Sequence, residues 1–414
     1  MSGSVVIAGA GQAGFQLAFS LRSRGYDGPI TLIGEESHIP YQRPPLSKAF
    51  LAGKQETRHL ALRPATYYTS QQIDFLASET VASIDRSARQ VELSSGTKVP
   101  YDTLALALGA RVRPLPIPGA QLDGVCYLRS LEDAVEIRSR LQQARSVAVI
   151  GGGFIGLELA AVARSHGKDV TVIELQPRLM PRVVSPVISD YYAKLHSAQG
   201  VAVKLGAVPS QIAANNGKAS AVVLSDGTHI PADLVIAGIG VLPNSALAQT
   251  AGLATENGII VDEYLRTEDR CVYAIGDCAA HPNPFAGARV RIESVQNAVD
   301  QADCVAAAIC GQSRPYQEVP WFWTDQFDVK LQMAGLSTGY DRSVTRGDPE
   351  ARKFSVFYFR QERLVAVDSI NRAADHIAAR KLLAAHSPLT PEQAADESID
   401  LKSFTQLSAT INNR

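Results

Sequence analysis

The 414-residue chain is poor in residues that would make it a disulfide, metal or membrane protein. Its five cysteines, Cys126, Cys271, Cys278, Cys304 and Cys310, form neither a C-x-x-C pair nor a disulfide framework, and eight scattered histidines add no metal-ligand spacing. We therefore expect buried, unpaired thiols and no metal. No apolar run reaches the ~18 residues that a membrane span needs. The chain passes from Met1 straight into an apolar strand, so no signal peptide and a cytoplasmic location are expected. Neither sign of charge dominates. Lys plus Arg number 40 and Asp plus Glu 41, which excludes a globally basic nucleic-acid binder but not a local basic patch. Hydrophobic residues at 46% and charged residues at 20% fit a soluble enzyme, and the length predicts roughly two to four domains.

What is present is a repeated glycine pattern. Val5 to Ala8 reads as a buried strand, followed by Gly9, Gly11 and Gly14 in G-x-G-x-x-G spacing, then Phe15, Leu17, Ala18 and Leu21 at helical intervals. A second strand, Ile30 to Ile33, leads to Glu35. In such a unit the first glycine allows a tight turn and the second lets backbone approach a pyrophosphate. The third permits close helix–strand packing, and the helix N-terminus offers N–H donors. A phosphate-free glycine turn is the alternative; the strand–turn–helix–strand context with a terminal acid favours a dinucleotide. Ser146 to Gly167 then aligns without gaps on Ser4 to Gly25 with 10 of 22 positions identical, and carries Gly151, Gly153, Gly156 and a terminal Glu174. Two such units imply two dinucleotides.

Between and beyond the repeats the chain reads in segments. His38 to Lys48 is proline-rich through Pro45 and then starts a helix, with Lys48 aimed inward; a rigid surface loop with a solvated lysine is the alternative. Strands are expected in Val81 to Leu93 and Leu104 to Leu108, with a linker at Arg113 to Gly119 and a helix over Leu131 to Ala144. More strands are expected between Val201 and Asp233 and over Leu234 to Gly240, then a second linker at Pro243-Asn244. Cys271 to Asp277 is a strand ending in an acid, which suits a ribityl hydroxyl or a helix cap. Glu293 to Ile309 is helical. Both tryptophans fall past Gly311, where strands at Lys353 to Phe359 and Arg363 to Ile370 and a helix at Ala373 to Ala385 read as a domain belonging to neither glycine unit.

The motifs GAGQAG at Gly9, YQRPPLSK at Tyr41, ALGAR at Ala107, GGGFIGLE at Gly151, GIG at Gly238, AIGDC at Ala274, ESVQNA at Glu293 and WFWTDQFD at Trp321 run in one order across nearly the whole chain. In that order the chain resembles the FAD-dependent, NADH-dependent ferredoxin reductases of bacterial cytochrome P450 systems, of the putidaredoxin and palustrisredoxin reductase type. The resemblance implies an α/β, glutathione-reductase-like fold: two Rossmann-like domains plus a C-terminal α+β domain. It implies a discontinuous FAD domain at 1–112 and 245–318, an NADH domain at 113–244 and a C-terminal domain at 319–414.

The resemblance implies that FAD is held by Gly9, Gly11, Ala13, Gly14, Glu35, Arg43, Lys48, Val81, Ala107, Gly109, Arg111, Arg129, Asp277, Glu293, Ser294, Val295 and Trp323. NADH would meet Gly151, Gly153, Phe154, Ile155, Gly156, Glu158, Glu174, Arg182, Gly238, Ile239 and Gly240. Lys48 and Glu158 would be the catalytic pair beside the flavin; Gln16 is the counterpart of Glu158 in the first repeat, and a carboxylate merely favouring the helix dipole is the alternative. Glu174 would accept from the 2′-hydroxyl of NADH, while Arg178 and Arg182 could receive a 2′-phosphate. Disulfide reductases of this fold carry cysteines after the first acidic strand, whereas this chain has none before Cys126. Electrons then leave the flavin directly, for an acidic [2Fe–2S] ferredoxin that serves a P450. Arg63, Arg314 and Lys330 are candidates for its basic docking patch. A rubredoxin reductase and a dioxygenase reductase component share the same motifs, and the competing non-enzyme reading is an apoptosis-inducing-factor-like sensor in which NADH binding changes assembly.

Overall fold

The computed structural model describes residues 2–404, which divide into two compact units. The first contains residues up to Gln42, Leu60–Arg111 and Leu242–Phe322. Its centre is a five-stranded parallel sheet in the order Val272–Ala274, Thr103–Leu106, Val5–Ala8, Ile30–Gly34, Ile73–Ala77. Val5, Val6, Ile7, Leu32, Ile33, Leu104 and Leu106 are all buried, as strands covered on both faces require. Helix Gln12–Ser23 follows the first glycine turn and packs against helix Val295–Ile309, whose buried Ala298, Ala302 and Ala306 permit close approach. Chain order reverses at Val5–Ala8, so the crevice at the carboxyl ends of this strand and Thr103–Leu106 is a topological switch point.

The second unit contains Arg43–His59, Val112–Val241 and residues from Trp323 onward. Its parallel sheet repeats the same plan: Ala202–Leu205, Asp169–Glu174, Ser146–Ile150, Leu234–Ala237, Val125–Tyr127. A three-stranded antiparallel sheet of Pro209–Asn215, Lys218–Leu224 and His229–Pro231 is joined to it. A further five-stranded sheet runs in the order Trp321–Gln326, Val329–Gly335, Arg363–Ile370, Lys353–Arg360, Arg342–Asp348, with helix Ala373–Ala384 packed on it.

Two placements add to the sequence reading. The C-terminal α+β segment packs on the second glycine unit. Val329, Leu331, Phe354, Val356 and Tyr358 share one hydrophobic core with Val147, Leu157, Ile188 and Leu195. Amphipathic pattern alone shows that a sheet has an apolar face, not which partner covers it. The proline-rich loop also belongs to the second unit, where Leu51 enters that same core and the Arg138 guanidinium lies 5.5 Å over the Phe50 ring. Within the loop, Pro44–Ser47 forms a 3₁₀ turn that starts at the prolines rather than after them. The first turn of a helix needs no N–H from those positions. Helix Pro186–Ala198, capped by the Ser185 hydroxyl on Ile188 N at 3.4 Å, was not expected from the sequence.

Candidate functional site

In the first unit the glycine turn is closed on two sides and open on one. Gly9 has φ +113°, and a Cβ there would stand 2.2 Å from the Ala107 carbonyl oxygen. A Cβ on Gly14 would meet the Gly9 carbonyl oxygen at 1.8 Å. Gly11 has nothing within 4 Å of a built Cβ. That opening is the space a pyrophosphate needs, beside the start of helix Gln12–Ser23. Ala107 N donates to Ala8 O at 2.8 Å, and Asn244 N to Gly109 O at 3.0 Å, fixing this loop at the strand ends. Arg111 is exposed and donates to Pro243 O and Asn244 Oδ1 at 3.3 and 3.2 Å.

Asp277 lies in the 3₁₀ turn Gly276–Cys278 directly after strand Val272–Ala274. A Cβ on Gly276 would stand 3.1 Å from that of Ala13, so this turn abuts the first glycine helix. The cap of helix Val295–Ile309 is Ser294, whose Oγ accepts from Asn297 N at 3.0 Å. Asp277 therefore does not serve as that cap. Arg291 donates to the Asp277 carbonyl at 3.1 Å and pairs with Glu293 at 2.5 Å. Val81 sits in a separate antiparallel sheet, opposite Leu93.

The second glycine turn has the same geometry. A Cβ on Gly151 (φ +109°) would meet Gly238 O at 2.4 Å, one on Gly156 would meet Gly151 O at 2.1 Å, and Gly153 is open. Helix Phe154–Ser165 starts there, with Ile155 44% exposed on its first turn. Gly238 N donates to Ile150 O at 2.8 Å, and Arg182 Nη2 lies 3.6 Å from the position a Cβ would take on Gly240.

The acids at the second-strand ends are not equivalent. Ile33 pairs with Ala8 and Ile173 with Ile150, so the register counterpart of Glu174 is Gly34, and Glu35 matches Leu175. Glu35 is exposed. Glu174 is buried and folds back on its own turn, accepting from Gly152 N at 2.6 Å and Gln176 N at 2.8 Å. Arg178 is not available for a 2′-phosphate: it donates to Val184 O at 2.7 Å, Ser189 Oγ at 2.8 Å and Pro181 O at 2.6 Å. Arg182 is exposed.

The second unit also brings Lys48 and Glu158 together. Lys48 Nζ stands 2.8 Å from Glu158 Oε2, with Glu158 1% exposed. Glu158 also accepts from Ser47 Oγ at 2.5 Å and Thr324 Oγ1 at 2.6 Å. A carboxylate so deeply buried, one turn inside a helix, is tolerated because a cation and two hydroxyls saturate it. Removing Lys48 would leave the charge uncompensated, at a cost of about 3–5 kcal/mol. Its counterpart Gln16 only donates to Ser20 at 3.1 Å. Sequence reasoning missed Ser47 and Thr324 as partners, although Thr324 sits in a strand whose alternation could have shown it facing inward. Arg43 donates to the Arg129 carbonyl at 2.6 Å, and Trp323 neighbours Thr324 on strand Trp321–Gln326. These four expected flavin ligands, Arg43, Lys48, Arg129 and Trp323, are carried by the second unit.

The proposed docking cations are engaged locally. The Arg63 guanidinium lies 5.1 Å over the Phe19 ring, Arg314 pairs with Glu318 at 3.7 Å, and Lys330 with Asp325 at 3.5 Å. All five cysteines are free. Cys278, next to Asp277, is wholly buried, and burial pushes its thiol up to about 11. It carries no thiolate chemistry at neutral pH. Among the described residues no group could hold a metal and no helix is long and apolar enough to cross a membrane.

Comparison with known proteins agrees with this geometry. Residues 3–302 match the pyridine nucleotide-disulphide oxidoreductase family, and 321–405 match the reductase C-terminal family. Rhodocoxin reductase of Rhodococcus erythropolis is 52% identical over 399 residues, covering 96% of this chain and 93% of the relative. The crystal structure of the ferredoxin reductase for the CYP199A2 system from Rhodopseudomonas palustris superposes with TM-score 0.95 at 49% identity, covering 97% of this chain and 99% of that one. The covalent putidaredoxin reductase–putidaredoxin complex matches with TM-score 0.95 at 42% identity, covering 98% and 99%. The chain belongs to the pyridine nucleotide-disulphide oxidoreductase family, as a FAD- and NAD(H)-dependent oxidoreductase of the ferredoxin-reductase type.

Proposed function

We propose that this protein carries electrons from NADH to a [2Fe–2S] ferredoxin, and that this ferredoxin supplies a cytochrome P450 in the cytoplasm. The twin glycine turns carry the reading. Each is packed shut at its first and third glycine and open at its second, which fits one pyrophosphate per unit. In the first unit Gly9, Gly11, Ala13 and Gly14 hold the flavin nucleotide, with Ala107, Gly109 and Asp277 at the strand ends beside them. In the second, Gly151, Gly153, Phe154 and Gly156 hold NADH, and Glu174 receives the adenosine ribose. The bound coenzymes supply hydride transfer from NADH to FAD and electron release to the acceptor protein. The chain contributes charge and position: the Lys48 ammonium, fixed by Glu158, offers a cation where negative charge develops. Five unpaired thiols, three of them buried, fit a reducing compartment and a route to the acceptor that passes no cysteine. The likeness to a putidaredoxin reductase captured with its ferredoxin supports the choice of partner.

The test is an anaerobic NADH titration followed by cytochrome c reduction with and without a [2Fe–2S] ferredoxin. Bleaching of a flavin spectrum by NADH and ferredoxin-dependent turnover are expected. Bleaching without ferredoxin dependence would assign the electrons to another acceptor.

A further inference from the structure

The carboxylate of Glu158 ends a longer chain of buried side chains in the second unit. On strand Trp321–Gln326 the two-residue alternation places Thr324 and Gln326 on one face, both fully buried. Thr324 Oγ1 lies 2.6 Å from Glu158 Oε1 and 3.3 Å from Gln326 Nε2. Gln326 Oε1 lies 2.9 Å from Nε2 of His196, a fully buried residue of helix Pro186–Ala198. Burial lowers the His196 pKa, so the ring is neutral at physiological pH.

Donor and acceptor rules then assign every proton along the chain. A carboxylate only accepts, so the Thr324 hydroxyl donates to it and takes the Gln326 amide proton on its lone pair. The Gln326 carbonyl accepts from His196, which is therefore the Nε2–H tautomer, and its Nδ1 is buried with no hydrogen-bond partner. Three dipoles run head to tail toward one anion, and each bond polarises the next. Leaving Nδ1 unpaired costs free energy, so this chain is not the cheapest way to fill a core.

We propose that Thr324, Gln326 and His196 are positioning residues for the hydride step, locking the Glu158 carboxylate and through it the Lys48 ammonium into a single orientation. This rests on the reading that the Lys48–Glu158 pair serves hydride transfer. It gives the C-terminal sheet a part in the chemistry, although Thr324 and Gln326 lie outside both glycine motifs.

Thr324→Val keeps the side-chain shape and removes the hydroxyl. It is expected to lower the limiting rate of flavin reduction about tenfold or more, the scale of one hydrogen bond to a charged group, with a smaller change in the KM for NADH. Thr324→Ser restores most of the rate, and Gln326→Leu lowers it by roughly threefold. A readout separate from turnover is ¹⁵N NMR of histidine-labelled protein, in which His196 appears as the Nε2–H tautomer and loses that fixed state in Gln326→Leu. The tautomer is read on the unaltered chain and depends on no variant folding. Glu158→Gln separates two failures. Wild-type flavin reduction in that variant removes the role of the pair itself. Slow reduction there, with Thr324→Val at the wild-type rate or His196 as the Nδ1–H tautomer, overturns the positioning role alone.

Discussion

The two glycine turns share their glycine spacing and differ by one methyl group at the position after the first glycine. In the first, Ala10 follows Gly9, and the strand opposite must end in Gly34, because a Cβ there would stand 2.7 Å from the Ala10 Cβ. In the second, Gly152 takes the place of Ala10, and Glu174 takes that of Gly34 and bonds to the Gly152 amide at 2.6 Å. A Cβ on Gly152 would stand 3.1 Å from the Glu174 carboxylate. The space of a single methyl thus decides whether the acid folds onto the turn or stands one residue beyond it, as Glu35 does. Near-identical motifs can therefore present their acids differently.

The largest effects are expected at the glycines. Gly14→Ala and Gly156→Ala place a Cβ inside backbone contact distance and prevent proper folding of their units, as measured by soluble yield and circular dichroism. Gly11→Ala and Gly153→Ala add a methyl to open space, so both variants fold and each loses one coenzyme. Gly11→Ala purifies with little flavin, whereas Gly153→Ala keeps its flavin and raises the KM for NADH by about tenfold or more. Equal flavin loss in both variants would break the division of labour between the turns.

Next comes the charge pair that only the second unit contains. Lys48→Ala is expected to slow flavin reduction by NADH about 100-fold in stopped flow. A wild-type rate would make the pair structural. Glu174→Ala should narrow the preference for NADH over NADPH about tenfold in kcat/KM, the scale of one charge-assisted bond. Arg178→Ala should instead lower thermal stability, since its guanidinium ties Pro181, Val184 and Ser189 together.

The units also bury different titrating groups. In the second, burial raises Asp368 to about 7, and the Tyr358 hydroxyl donates to it at 2.7 Å. The folded state prefers the neutral acid, so this contribution to stability is present below the ordinary carboxylate range and is lost progressively as pH rises from there to about 7, on the order of 4 kcal/mol in all. In the first, burial lowers His281 to about 4, so its contribution is present above the ordinary histidine range and is lost as pH falls toward 4. Both windows lie between about pH 4 and 7 and oppose each other, so Asp368→Asn should make Tm rise more steeply with pH there and His281→Gln less steeply. Wild-type slopes in both variants would show that neither group titrates on unfolding. The smallest effect expected is none: alkylation of the native protein leaves ferredoxin reduction unchanged, because Cys126, Cys278 and Cys304 are buried and none of the five cysteines is among the residues placed in either nucleotide site.

Much of this was legible in the chain itself. The glycine spacing, the apolar strands and the interrupted first unit follow from short-range pattern, and PPLSK and WFWTDQ mark the segments that supply Lys48 and Thr324. What pattern could not supply is partnership across long separations. Glu35 and Glu174 look equivalent until pairing of Ile33 with Ala8 and Ile173 with Ile150 shifts them by one. Arg178 and Arg182 look interchangeable until one is found holding three groups of its own segment. The C-terminal strands read as a domain with an apolar face, but that face does not name its cover, which is the core around Leu157 and Leu195.

The interleaving of the two units has a consequence for biosynthesis. The chain passes from one unit to the other after Gln42, His59, Arg111, Val241 and Phe322. The sheet of the second unit receives its last strand at Leu234–Ala237, while that of the first, begun at Val5, waits for Val272–Ala274 and for helix Val295–Ile309 beside its glycine helix. On the ribosome, the nucleotide site whose residues emerge first is thus the one completed last, and strand Thr103–Leu106 keeps one edge unpaired until Val272–Ala274 is made.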